Sequence, residues 1–198
     1  MANTAAYNGF QQYSGTGSAP TYEQVAVKIV YNASAIYYGD PVNPDSNGYI
    51  VVGATSAGSG NTQIAGIFVG CKYLSTSQKR TVWSNYWPGS DVASTQTVEG
   101  YIINDPNAKF VAQSNGTGLT QADVNMTIGF NIGSGNSNNG ISGAYLNPDV
   151  SLGTDSSQPF KVVALLSDPP GVNGTESGAY AKAIVAFNNV STKQLTGV

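Results

Sequence analysis

Apolar and polar residues alternate with a period of two along most of this chain, and only one short stretch reads as helix. In "YEQVAVKIVY" (22–31), Val25, Val27 and Ile29 share one face, opposite Ala26, Lys28 and Val30, the pattern of a strand. "SAIYYGDPV" (34–42) and "GYIVVGAT" (48–55) follow, separated by "NPDSNG", a run of turn formers ending in Asn47-Gly48. Further strand signals are "TQIAGIFVGCKYL" (62–74), "KRTVWSNYW" (79–87), "TVEGYIIND" (97–105) and "AKFVAQS" (108–114). After residue 130 the pattern loosens into "NIGSGNSNNGISGAYLNPD", then returns in "QPFKVVALL" (158–166) and "GAYAKAIVAFNNV" (178–190). The helical candidate is "LTQADVNM" (119–126), where Thr120 is a possible cap with Asp123 three residues on.

This pattern predicts an all-β fold, an antiparallel β-barrel or sandwich of about ten short strands, preceded by an extended N-terminal arm. Residues 1–21 form the arm, 22–113 a β domain, and 114–198 a second β subdomain or a continuation of the first. The arm is rich in Ala, Asn, Gly, Ser and Thr, yet Tyr7, Phe10 and Tyr13 are spaced along it, and disordered tails are poor in aromatics. The arm is therefore expected to be pinned against something, and its removal (residues 1–20) to leave the body folded.

Charged residues make up only 10% of the 198 positions, against roughly 25% in an ordinary domain. The 8 basic residues are scattered and the net charge is −3, which argues against nucleic acid as a direct ligand. No apolar run approaches the roughly 20 residues of a membrane helix, and "MANTAAYNGFQQYSG" lacks the features of a signal peptide. Synthesis in a cytoplasm, with no membrane partner, is the expectation. The single cysteine, Cys71, sits in the apolar run "IAGIFVGCKY" and reads as a buried small hydrophobe.

The chain contains no histidine, which removes Ser-His-Asp and Cys-His catalysis and His-type zinc sites. Asp40, Asp105 and Asp168 each precede a proline, as do Asn43 and Asn147, a placement that points to turn initiation. "DPVNPDSNG" offers Asp40, Asn43, Asp45 and Asn47 without the spacing of a calcium loop, and "GSGNSNNG" lacks the lysine of a phosphate cradle. The expectation is a protein without enzyme activity, metal or cofactor.

Both tryptophans lie in "TVWSNYWPGS" (81–90), with Tyr86 between them. Three readings are open: a core plug, an anchor into another protein, or a sugar-stacking platform. Strand parity gives Trp83 and Trp87 one face and Tyr86 the other. The expected split therefore has both tryptophans packing inward, while Tyr86 and the Pro88-Gly89 turn face a neighbour.

Taken in order, the motifs resemble a family. A short arm carries Gly9-Phe10. "YYGDPV" (37–42), "GIFVGCKY" (66–73), "KRTVWSNYWPGS" (79–90) and "GYIINDPNAKFVAQSNG" (100–116) follow it. "QPFKVVALL", "AIVAFNN" (183–189) and a terminal "TGV" (196–198) close the chain. This series is similar to the decoration or cement proteins of tailed bacteriophage heads, from whose arm the chain departs in having no proline and arginine directly after Gly9-Phe10. The resemblance implies a structural virion protein that binds the outer surface of an assembled capsid and stabilises it by bridging capsomers. It implies the major capsid protein and other copies of the same chain as partners, and the outer capsid surface as location. Tyr7, Phe10, Tyr13, Trp83, Tyr86 and Trp87 are the candidate contacts. The alternative is a carbohydrate-binding module displayed on the virion, with Trp83 and Trp87 exposed and coplanar in a groove. A polysaccharide hydrolase, the remaining alternative, would place two carboxylates about 5–9 Å apart across a cleft.

Overall fold

A computed structural model describes residues 3–15, 24–53, 63–166 and 176–193. Among these residues the fold is all-β, with two antiparallel sheets of six strands packed as a sandwich and no closed barrel. The strands are β1 (Gln11–Ser14), β2 (Gln24–Ile29), β3 (Pro41–Pro44), β4 (Ile50–Val52), β5 (Gly66–Leu74), β6 (Thr81–Ser84), β7 (Val98–Ile103), β8 (Lys109–Gln113), β9 (Thr127–Asn131), β10 (Tyr145–Asn147), β11 (Phe160–Leu165) and β12 (Lys182–Phe187). The first sheet runs β1-β8-β12-β11-β9-β10; the second runs β2-β7-β5-β3-β4, with β6 also paired to β5.

Alternation decides the packing. Along β12, Ala183, Val185 and Phe187 are buried while Lys182, Ile184 and Ala186 are only partly so, the period of two expected of a sheet with one covered face. These residues join Phe110, Ile128, Phe130, Leu146, Phe160 and Val162 in a core that Ile67 and Ile103 of the second sheet complete. The second sheet curls around a core of its own, built from Ile29, Ile36, Val42, Ile50, Phe68, Cys71, Tyr73, Trp87, Val98 and Ile102. Cys71 is 1% exposed, its thiol donates to the Tyr86 carbonyl at 3.4 Å, and burial pushes its pKa up to about 12, so it behaves as a core side chain.

The pairing across 119–131 departs from the sequence pattern. "LTQADVNM" forms a single 3-10 turn, Gln121–Asp123, in place of the expected helix. The Asp123 carboxylate does accept from the Thr120 N–H at 2.7 Å and hydroxyl at 2.8 Å, but Asn125 turns to φ +76° and ends the run. A turn of this length cannot repay helix nucleation. The loosened stretch after residue 130 also contributes β10, which pairs with β9.

The arm is part of the sandwich. β1 pairs with β8, and Phe10 is 1% exposed, stacked on Phe160 with centroids 4.5 Å apart. Gly9 makes the entry possible. Its φ is +68°, and a Cβ there would fall 2.7 Å from the Ser142 Cβ and 2.9 Å from the Gly39 carbonyl. Gln113 clamps the stretch before it, accepting from the Ala6 N–H at 2.8 Å and donating to the Thr4 and Tyr180 carbonyls at 2.9 and 2.8 Å. Removing residues 1–20 would therefore uncover core, which corrects the expectation of an independent body. Among the described residues no helix is long and apolar enough to cross a membrane.

Candidate functional site

The segment "TVWSNYW" sends its three aromatics to three places. Strand parity holds only as far as Ser84, because Asn85 and Tyr86 form a bend before the chain pairs again at Trp87. Trp87 is fully buried (0% exposed), bridged to Ile36 by backbone hydrogen bonds of 2.9 and 2.7 Å. Its indole N–H donates to the Ala33 carbonyl at 3.2 Å, and Tyr73 meets it edge-on at 5.2 Å. Tyr86 stacks on Tyr37 with parallel rings 5.4 Å apart. Trp83, expected to pack inward, is 68% exposed, on the side of β6 turned away from the core that holds Trp87. The bend reverses the facing that parity assigned, so the coplanar Trp83–Trp87 pair of the carbohydrate alternative does not exist.

Trp83 has a different companion. Register places Lys28, Glu99, Lys72 and Trp83 in one row across β2, β7, β5 and β6. One step along β7, Tyr101 stands opposite Gly70. A β-bulge between Phe68 and Gly70 interrupts the ladder here, and Gly70 offers no side chain to fill the space above β5. The Tyr101 ring reaches across this gap and lies parallel to Trp83, centroids 5.8 Å apart and planes 8° from coplanar. The Lys72 ammonium sits 5.0 Å from the Trp83 ring centroid and 3.2 Å from Glu99. Tyr101 donates its hydroxyl to Glu99 at 2.6 Å, an arrangement that pushes its own pKa up to about 12 and holds the Glu99 carboxyl below its ordinary range. A groove of about 390 Å³ runs beside the pair, lined by Gln24, Gly70, Ser84 and Asn85 as well as the two rings.

The arm aromatics divide in the same way. Phe10 is a core residue. Tyr7 stacks on Tyr145 with centroids 4.5 Å apart and is partly buried. Tyr13 is 53% exposed, on the same outward side of β1 as Gln11, and the β1–β8 register shift between Gln12 and Ser14 leaves it without an opposite residue on β8. Of the six candidate contacts two are exposed, Tyr13 at the edge of the first sheet and Trp83 on β6 of the second; Tyr31, outside that set, is exposed as well. Tyr101 is the site residue that sequence reasoning missed; the signal was its equal parity with Glu99 in "TVEGYIIND", without which nothing marks it out from the other tyrosines.

The acids are engaged locally. Asp105 accepts from the Asn107 N–H at 2.9 Å and Asn147 from the Asp149 N–H at 3.2 Å, the turns expected before proline. Asp40 departs from that pattern: it is 1% exposed and bonds backward to the Tyr37 N–H at 2.7 Å and across to the Ser142 hydroxyl at 2.5 Å. Burial pushes its carboxyl up to about 6. Asn43 is buried in β3 with its side-chain oxygen unpaired, and Asp168 and the terminal "TGV" lie outside the described residues. Among the described residues no three His, Cys, Asp or Glu side chains converge on a common point. No family model, curated protein or solved structure matches the chain.

Proposed function

We propose that this protein is a structural virion component that binds the outer surface of an assembled phage capsid and stabilises it by bridging capsomers. The observation that carries the reading is the exposure of Tyr13 on an edge strand. β1 ends the first sheet, and its alternation turns Gln11 and Tyr13 outward, so a large aromatic stands half in solvent at a sheet edge. Tyrosine so presented is a favoured anchor at protein interfaces. Gln11, Gln12, Tyr13 and Ser14 include neither the lysine nor the proline that commonly guards a free edge. The low charge of the chain and the order of its motifs support the same reading. Phe10 and Trp87 contribute by holding the body rigid, and the contact itself falls to Tyr13 and the arm around it.

The mechanism is linkage. A clip that binds the assembled lattice and has no affinity for separated capsomers adds its binding free energy to the assembly. Many copies then multiply a modest affinity. The experiment mixes purified protein with expanded empty heads and measures saturable binding and the resistance of the heads to heat. Tyr13→Lys is expected to weaken binding at least tenfold with an unchanged melting temperature. Heads that take up no wild-type protein, or take up both proteins equally, refute the reading.

A further inference from the structure

We infer that the Trp83–Tyr101 face of the second sheet is a binding site for a short neutral saccharide. The inference goes beyond capsid attachment and does not depend on it, because Tyr13 lies at the edge of the other sheet. The lining defines the ligand class. A pyranose has a flat face of C–H bonds and a rim of hydroxyls, so its receptor needs an aromatic plane bordered by small donors and acceptors. Trp83 supplies the plane, with Tyr101 parallel to it at 5.8 Å. Gln24 and Asn85 border it with two amides, and Val69, Gly70, Cys71 and Ser84 complete the lining. Glu99 stands beside the groove and outside its lining, and by accepting from the Tyr101 hydroxyl at 2.6 Å it fixes the second ring.

Charge and shape narrow the choice. An anionic ligand would call for an unpaired cation, but Lys72 is neutralised by Glu99 at 3.2 Å, and Lys28 stands on the far side of Glu99 from the rings. The groove, about 390 Å³, falls at the small end of ligand sites, which span roughly 300–1,000 Å³. The plane is also pre-organised. Trp83 and Tyr101 rise from paired strands, and Lys72 braces the indole at 5.0 Å, so little side-chain freedom is lost on binding.

The test titrates the full-length protein with cellotriose, maltotriose and chitotriose, following tryptophan emission, and surveys a printed glycan array for breadth. Trp87 is already buried, so a saturable blue shift reports on Trp83. The expected result is saturable binding to at least one neutral glycan. By calorimetry, Trp83→Ala should weaken it at least tenfold, Trp83→Tyr should restore it to within a few-fold, and Glu99→Gln should weaken it a few-fold, all without a change in melting temperature. Uptake by expanded heads should be the same for Trp83→Ala as for wild type. No glycan bound on the array or in titration overturns the inference, as does equal glycan binding by Trp83→Ala. Loss of head uptake in Trp83→Ala also overturns it, since the face would then be a protein contact.

Discussion

Asp40 gives the protein a stability that falls as pH rises from acid to neutral, and its replacement by asparagine should remove that dependence. The carboxyl lies where three elements cross: Gly9 of the arm packs on Gly39, Ser142 reaches in from the β9–β10 connection, and the Asp40 carbonyl accepts from the Phe68 N–H at 2.9 Å. Its two hydrogen bonds, from Ser142 and Tyr37, favour the anion, but burial outweighs them and raises the pKa from 3.8 to about 6. The folded chain therefore holds the proton more tightly than the unfolded one. The contribution is complete below pH 3.8, shrinks as pH rises, and is lost once pH passes about 6.

At 1.36 kcal/mol per pKa unit, the full swing is about 3 kcal/mol, of which roughly 2–3 kcal/mol falls between pH 4 and 7. Other acids push the other way. Asp91 accepts from the Ser75 and Thr76 hydroxyls and the Ser77 N–H and is held down to about 2, so its contribution is lost only as pH falls through that range. The difference between wild type and Asp40→Asn isolates the one group. Urea unfolding at pH 4, 5, 6 and 7 should show the variant gaining roughly 2–3 kcal/mol relative to wild type over that span. Parallel stability curves would refute the assignment of a buried, late-ionising carboxyl.

Phe10→Ala should cost about 3–5 kcal/mol in urea unfolding, because Phe10 stacks on Phe160 and meets Phe130 edge-on at 6.2 Å; a loss under 1 kcal/mol would mean the arm is detachable. Gly70→Ala should cost about 1–3 kcal/mol, since φ is +153° and the new Cβ would lie 2.9 Å from the Ser84 carbonyl; a neutral outcome would place the bulge elsewhere. Cys71 should resist a thiol reagent in the native state at pH 8 and label in step with denaturant unfolding, whereas fast native labelling would contradict its burial. Tyr13→Lys and Trp83→Ala, combined, should change stability by no more than the sum of two small surface effects, each within about 0.5 kcal/mol.

The class of fold was legible because alternation is a local property. "AIVAFN" carries its inward and outward faces in its own spelling and the structure follows it; "QVAVKI" follows only at Val27 and Ile29, with Val25 42% exposed, and "GIFVGCKY" is buried on both sides, with Ile67 in one core and Phe68 in the other. What was not legible depends on distant partners. β1, with the sequence Gln-Gln-Tyr-Ser, has no strand signature and exists because β8 offers an edge. β10 likewise forms against β9 within a glycine- and asparagine-rich stretch. Trp83 and Trp87 were assigned one face by counting, and the count failed at the Asn85–Tyr86 bend, which depends on the Trp87–Ile36 bridge 51 residues away in sequence. Tyr101 became a site residue only once β5 brought it beside Trp83.

The two rings proposed as contacts stand out by ordinary alternation. Gln11 and Tyr13 share the outward side of β1, and Trp83 shares a row with Lys72 and Glu99, whereas Phe110 and Phe187, on the inward side of their strands, meet at 5.0 Å inside the sandwich. The β5–β7 bulge beside Gly70 adds the space through which Tyr101 reaches Trp83. With so few charges, this chain has limited means of making a surface specific through electrostatics. Placing single rings on exposed strand faces is the means its composition leaves open. The two rings lie on different sheets, so an attachment through Tyr13 and a ligand on Trp83 can be held by one molecule at the same time.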